Sequence, residues 1–127
     1  MFAKNKLPSR IRVNECGINN NEDVPGRYGG THWVAYFNTS KCPNIEFFDS
    51  FGLPPARPIE KYLLSSGKNI EYNSCQIQDE SSVLCGHYCI HYIIERLQNK
   101  PFIDILNAFS LTRLKENDRL LTIFNDE

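Results

Sequence analysis

The chain contains no long hydrophobic run: no stretch approaches the roughly 20 apolar residues that a membrane-spanning helix requires. Its start carries Lys4, Lys6 and Arg10 but no apolar segment of the secretory-leader type, so a soluble, unsecreted protein is expected. An excess of charge of one sign is also missing. Lys and Arg total 14 against 15 Asp and Glu, a formal net charge of -1, which gives no general attraction for nucleic acid or acidic membrane. Recognition must then come from local surfaces. Cysteine pairing is lacking too: five cysteines, Cys16, Cys42, Cys75, Cys85 and Cys89, are an odd number without a framework spacing. That pattern fits reduced thiols in the cytoplasm or nucleus. Asn38-Thr39-Ser40 has the form of a glycosylation acceptor but, without a secretion signal, is read as a turn.

What is present suffices for a core. The chain has 127 residues, 41% of them hydrophobic and 12% aromatic, and a single domain over 1–127 is expected. Residues 10–18 alternate loosely as an edge strand, and a polar loop follows through Gly30. Residues 31–37 form the first clear strand, and 38–44 turn the chain back into a second over 45–49, with Asp49 at its far end. Pro58 opens a short helix over 59–65 closed by Gly67, and a third strand covers 69–77. Ser81 and Ser82 are candidate caps for a helix from Val83 or Leu84 to Gln98, with apolar faces supplied by Tyr88, Ile90, Ile93, Ile94 and Leu97. Pro101 starts another helix through Phe109, and 111–124 form a last one with Leu114, Leu120, Leu121 and Phe124 inward. The expected class is α+β: a small mixed β-sheet against a central helix with Cys85 at its N-terminus, plus C-terminal helices.

Four residues carry a joint chemistry. A cysteine attacks as thiolate, and an unperturbed pKa of about 8.5 leaves few thiols ionised at neutral pH. Cys85 stands near a predicted helix start, where backbone N–H groups and the helix dipole favour negative charge, and Gly86 removes a side chain beside it. His32, on a strand, can take and return a proton, and Asp49 on the adjacent strand can accept from its ring and fix its tautomer. Gln78, seven residues before Cys85, offers a side-chain amide, and Cys85 its own backbone N–H, to a developing oxyanion. Each residue alone is unspecific; the conjunction points to cysteine hydrolase chemistry.

In chain order, Gly29-Gly30-Thr31-His32-Trp33-Val34-Ala35, Phe47-Phe48-Asp49-Ser50-Phe51-Gly52 and Gln78 with Cys85-Gly86 resemble the adenain-like cysteine proteases of adenoviruses and Maverick/Polinton transposons. More distantly they resemble the proteases that process ubiquitin-like proteins, which share the order His, acid, Gln, Cys. The resemblance implies His32 as base, Asp49 as its partner, Gln78 as oxyanion donor and Cys85 as nucleophile, with Trp33, Gly86 and Gly30 beside substrate and oxyanion. Asp49 stands where adenain has glutamate, a mild change. The implied activity is a thiol endopeptidase cutting near Gly in a viral or transposon structural precursor, a monomer within the cell or packaged in virions. Alternatives within the superfamily are an isopeptidase acting on SUMO or ubiquitin conjugates, an acetyltransferase, and an inactive protein-binding module. Adenain is activated by DNA and by a disulfide-linked peptide. The acidic balance, and the absence of a cysteine aligned for that peptide, support neither here. The segment before His32 is short for the family, as expected of either a minimal form or a fragment lacking part of the substrate groove.

Cys85, His87, Cys89 and His91 are all metal-ligand types, but helical geometry sets the cysteines and the histidines on nearly opposite faces. No metal or organic cofactor is expected. Cys89, one turn after Cys85, is read as core, as are Phe47, Phe48 and Phe51, while Trp33 is expected to pack near the imidazole.

Overall fold

A computed structural model describes residues 2–3, 7–21 and 32–125. The five strands are β1 (Phe2–Ala3), β2 (Glu15–Asn20), β3 (Trp33–Asn38), β4 (Ile45–Phe48) and β5 (Ile70–Tyr72), hydrogen-bonded in that order. The sheet is mixed: β2, β3 and β4 run antiparallel in succession, while β1 on β2 and β5 on β4 are parallel. Helices α1 (Arg57–Leu64), α2 (Cys85–Leu97), α3 (Phe102–Asn107) and α4 (Leu114–Asn125) complete it. The α+β expectation is met.

Alternation along the central strands sends side chains to two cores. Val34, Tyr36, Ile45 and Phe47 pack with Ile59, Tyr62 and Leu63 of α1 on one face. Ala35 and Phe48 pack on the other with Tyr88, Cys89 and Tyr92 of α2, Phe102, Ile105 and Leu106 of α3, and Leu121 of α4. Because both faces of β4 are covered, its four residues are all buried rather than alternately exposed.

Several boundaries differ from expectation for physical reasons. The strand expected over 10–18 lies at Glu15–Asn20, and it is not a bare edge, since β1 covers Asn19 and Asn20. The third expected strand shrinks to Ile70–Tyr72, because Asn73 turns its side chain onto the backbone of Asp49 and ends the ladder. Helix α2 begins at Cys85 itself, two residues later than the earliest expected start. Its buried side is Cys85, Tyr88, Cys89, His91 and Tyr92; Ile90, Ile94 and Leu97, expected among its apolar faces, are exposed at 47%, 45% and 62%. Both sheet and C-terminal helices lie on the aromatic side of α2, and the isoleucine stripe faces out. Residues 22–31, including Gly29 and Gly30, fall outside the described residues.

Candidate active site

His32 immediately precedes β3 and Asp49 immediately follows β4, so the antiparallel pairing that sets Ala35 opposite Phe48 brings the two to the same end of the sheet. His32 Nε2 and Asp49 Oδ1 are 2.5 Å apart. Asp49 is fully buried, and the same oxygen accepts the Phe51 backbone N–H at 2.8 Å. Its backbone is gripped on both sides by buried Asn73, whose Oδ1 accepts the Asp49 N–H at 3.1 Å and whose Nδ2 donates to the Asp49 carbonyl at 2.6 Å. Phe51 stacks on the imidazole, ring centroids 4.5 Å apart at 26°. It was expected in the core with Phe47 and Phe48; those two are buried there, while Phe51 sits at the site as the wall of His32.

Cys85 opens α2 and lies beneath the start of β3. The Trp33 backbone N–H donates to its Sγ at 3.4 Å, and one turn later the Cys89 thiol donates to the Trp33 carbonyl at 3.3 Å. Cys89 is fully buried, and burial first, then the neighbouring Cys85 and Asp49, push its thiol well up, so it is an inert core group. At Gly86 an added Cβ would meet the Trp33 indole at an ordinary 3.6 Å, which places that indole over the first turn of α2. Trp33 therefore packs against the helix start.

The electrostatics couple the thiol and the imidazole. Burial, the largest influence on Cys85, raises its pKa. The neighbouring His32 ring, the Trp33 N–H, the imidazolium charge and the Gly86 N–H outweigh it, and the thiol lies below its ordinary value. For His32 burial works to lower the pKa, but the hydrogen bond and charge of Asp49 and the neighbouring Cys85 lift it to about 9. A lowered thiol and a raised imidazole favour the thiolate–imidazolium pair.

Gln78 lies in the loop after β5, which is tied to the turn following Asp49. The Ser50 carbonyl accepts the N–H groups of both Ile77 and Gln78, at 2.9 and 3.0 Å, and Ser50 Oγ donates to Gln78 Oε1 at 2.5 Å. The Gln78 amide is not presented freely: its Nε2 donates to the carbonyl and Oγ of Ser82, at 3.0 and 3.2 Å. Ser82, expected as a helix cap, instead receives the Leu84 N–H and this glutamine, while Ser81 bonds Asp79. Asn73 and Ser50 were missed from sequence. Their only trace there is position, Ser50 in the Asp-Ser-Phe-Gly turn and Asn73 at the end of a short strand. Of the four ligand-type residues on α2, Cys85 and Cys89 are buried, His87 is exposed, and His91 is buried with its ring against Phe109 and Phe124.

No known family description matches the chain. It is 33% identical over 93 residues to the protein named "Putative thiol protease R355" of Acanthamoeba polyphaga mimivirus, an alignment covering 64% of this chain and 30% of that one. Its fold matches the solved ASFV pS273R protease with a TM-score of 0.57 at 23% identity, over 83% of this chain and 42% of that one. The SUMO protease Ulp1, solved with its catalytic cysteine oxidised to a sulfonic acid, superposes with a TM-score of 0.49 at 16% identity, over 84% of this chain and 49% of that one. In fold the chain is similar to the ASFV protease, and in sequence it is similar over part of its length to the mimivirus protein. The chain spans about a third of the length of that curated relative. Among the described residues no helix is long and apolar enough to cross a membrane.

Proposed function

We propose that the chain is a cysteine-type peptidase domain spanning 1–127, in which Cys85 is the nucleophile, His32 the base and acid, Asp49 its orienting partner, and Gln78 with the Cys85 backbone N–H the oxyanion donors. The observation that carries this reading is the imidazole anchored by Asp49 on Nε2 at 2.5 Å, with Nδ1 buried and without a hydrogen-bond partner among the described residues. With Nε2 occupied by the carboxylate, Nδ1 is the nitrogen left to exchange a proton with sulfur.

The Cys85 thiolate attacks the scissile carbonyl carbon, forming a C–S bond and moving the carbonyl electron pair onto oxygen. The oxyanion is met by the Gln78 amide, which exchanges a Ser82 contact for it, and by the Cys85 N–H. As the oxyanion collapses, the C–N bond breaks and His32 delivers its Nδ1 proton to the leaving amine. Water, giving a proton back to His32, then adds to the thioester, and its collapse releases the carboxylic acid and the thiolate. Asp49 holds the ring for both transfers.

The substrate supported by the resemblance is a protein segment with Gly at the scissile bond, in a viral or transposon structural precursor met inside the cell or a virion. Trp33 and Gly86 flank the thiol on that side, with Gly30 assigned there by motif alone. No metal or organic cofactor enters this chemistry, and the domain acts as a monomer. Incubation of wild type and Cys85→Ala with Gly-Gly capsid-type peptides and with ubiquitin-like conjugates tests the reading. Cleavage of the peptides by wild type alone is expected; undiminished cleavage by the variant would refute it, and cleavage of the conjugates only would move the substrate to the isopeptidase class.

A further inference from the structure

Ser82 and Asp118 lie outside the four residues assigned to chemistry, yet they hold one of them. Gln78 Nε2 reaches Ser82 through two contacts, carbonyl and hydroxyl. Ser82 Oγ is 2.9 Å from Asp118 Oδ1 on α4, and the same carboxylate oxygen accepts the Tyr88 hydroxyl of α2 at 2.8 Å. The direction of this chain is forced. A carboxylate accepts only, so the single Ser82 hydroxyl proton goes to Asp118, and its lone pairs are left for the Leu84 N–H and the Gln78 amide. The Ser82 carbonyl likewise accepts only, which requires Gln78 to turn its nitrogen, not its oxygen, toward the segment leading to Cys85. Ser50, donating to Oε1 from the other side, agrees with that orientation.

We propose that Asp118, acting through Ser82, is a positioning residue for the Gln78 amide, so that helix α4 sets where the oxyanion donor stands relative to Cys85. The inference rests on the oxyanion role assigned to Gln78. The adjacent Asn117 supplies the purely structural tie: fully buried, it donates to the Ile77 and Ser110 carbonyls, each at 2.7 Å, and accepts the Ser110 N–H at 2.9 Å. Docking of α4 against the Gln78 loop is thereby secured without Asp118. What Asp118 adds is addressed to Ser82 and Tyr88, the groups flanking the start of α2. It orients the hydroxyl so that a lone pair, and not the proton, faces the glutamine.

Two rates separate positioning from folding. Alkylation of Cys85 by iodoacetamide needs the thiolate but no oxyanion donor, whereas hydrolysis of a Gly-Gly peptide needs both. Ser82→Ala and Asp118→Ala are each expected to lower kcat about tenfold with KM and the alkylation rate unchanged, less than the roughly 10²–10³ typical of deleting an oxyanion donor outright. Asp118→Asn, which keeps an acceptor oxygen, is expected to restore kcat to near wild type. In a Gln78→Ala background neither alanine variant should lower kcat further, because the group they position is gone. Equal losses in that background, or an alkylation rate that falls with kcat, would overturn the relay while leaving the peptidase reading intact. A faster Ser82→Ala enzyme would overturn it as well, by making the contact a restraint. Should Asp118→Ala fail to fold, Ser82→Ala and Asp118→Asn carry the same comparison. Absence of peptide cleavage by the wild-type protein, with Cys85 still alkylated, would remove the reading on which the relay depends.

Discussion

At the scale of single residues, the feature that distinguishes this site is how heavily Asp49 is constrained. Its carboxylate meets His32 and the Phe51 N–H, and its own backbone N–H and carbonyl are both taken by Asn73. A buried carboxylate with these contacts has one usable geometry, and the imidazole inherits it. Asn73→Ala leaves a buried N–H and a buried carbonyl without partners, at about 1–3 kcal/mol each when unsatisfied, so a total near 2–4 kcal/mol is expected as structure relaxes. Urea unfolding should show a lower midpoint at constant m-value; an unchanged midpoint would show that Asn73 is dispensable. The four proposed site residues could be picked out in the sequence because each has a chemical type that the proposed reaction needs. Asn73 and Ser50 were not, because a polar residue in a short turn looks the same in sequence whether it faces water or clamps a backbone.

Among elements, the turn from Asp49 to Gly52 does more than end a strand. Its Asp49 carbonyl accepts the Gly52 N–H at 2.7 Å, and the Ser50 carbonyl between them anchors the Gln78 loop. Gly52 has φ of +76°, and a Cβ there would lie 2.7 Å from the Cys75 carbonyl carbon. Both the left-handed backbone and the approach of the neighbouring chain demand glycine. Gly52→Ala is expected to destabilise by at least about 1–3 kcal/mol, the scale of a strained non-glycine backbone position. It should also lower kcat/KM of peptide hydrolysis, since Asp49 and Gln78 hang on the same turn; a variant as stable and active as wild type would contradict this. Strands β3 and β4, both short helices and the course of α2 follow from alternation, proline placement and apolar spacing. Which face of α2 is inward did not follow, because isoleucines at 90 and 94 and aromatics at 88 and 92 satisfy a helical period equally well. Burial went to the aromatics: Tyr92 stacks on Phe48 and packs at a tilt against Phe102, and Tyr88 packs at a tilt against Phe109. Asn117, fully buried in a helix expected to turn only leucines and Phe124 inward, is the clearest miss.

Over the whole molecule, the two cores clamp a sheet whose one end carries the site, and α2 is fixed to that sheet at both of its own ends. Near its C-terminus Arg96 makes two charge-assisted bonds with buried Glu46, Nε to Oε1 at 2.9 Å and Nη2 to Oε2 at 3.0 Å, while Tyr92 donates to Oε1 at 2.7 Å and the guanidinium lies over Phe37. At its N-terminus, the Trp33 N–H reaches Cys85 Sγ and the Trp33 carbonyl accepts the Cys89 thiol. A rigid helix pinned at the far end by a satisfied ion pair keeps its first residue in register with the start of β3, which is how a helix terminus and a strand terminus come together in the proposed thiolate site. The central claim is that the thiol ionises because the imidazolium is beside it. The pH dependence of Cys85 alkylation by iodoacetamide, in wild type and in His32→Ala, tests it most directly. The thiolate is stabilised where Cys85 has lost its proton and His32 keeps one, so the wild-type rate should rise at a pH below that of an ordinary thiol. A second change is expected near pH 9, where His32 deprotonates and its charge no longer assists. In His32→Ala the rise should move up to the ordinary thiol range or beyond, since burial then acts on the thiol without that charge. Identical profiles for the two proteins would contradict the account.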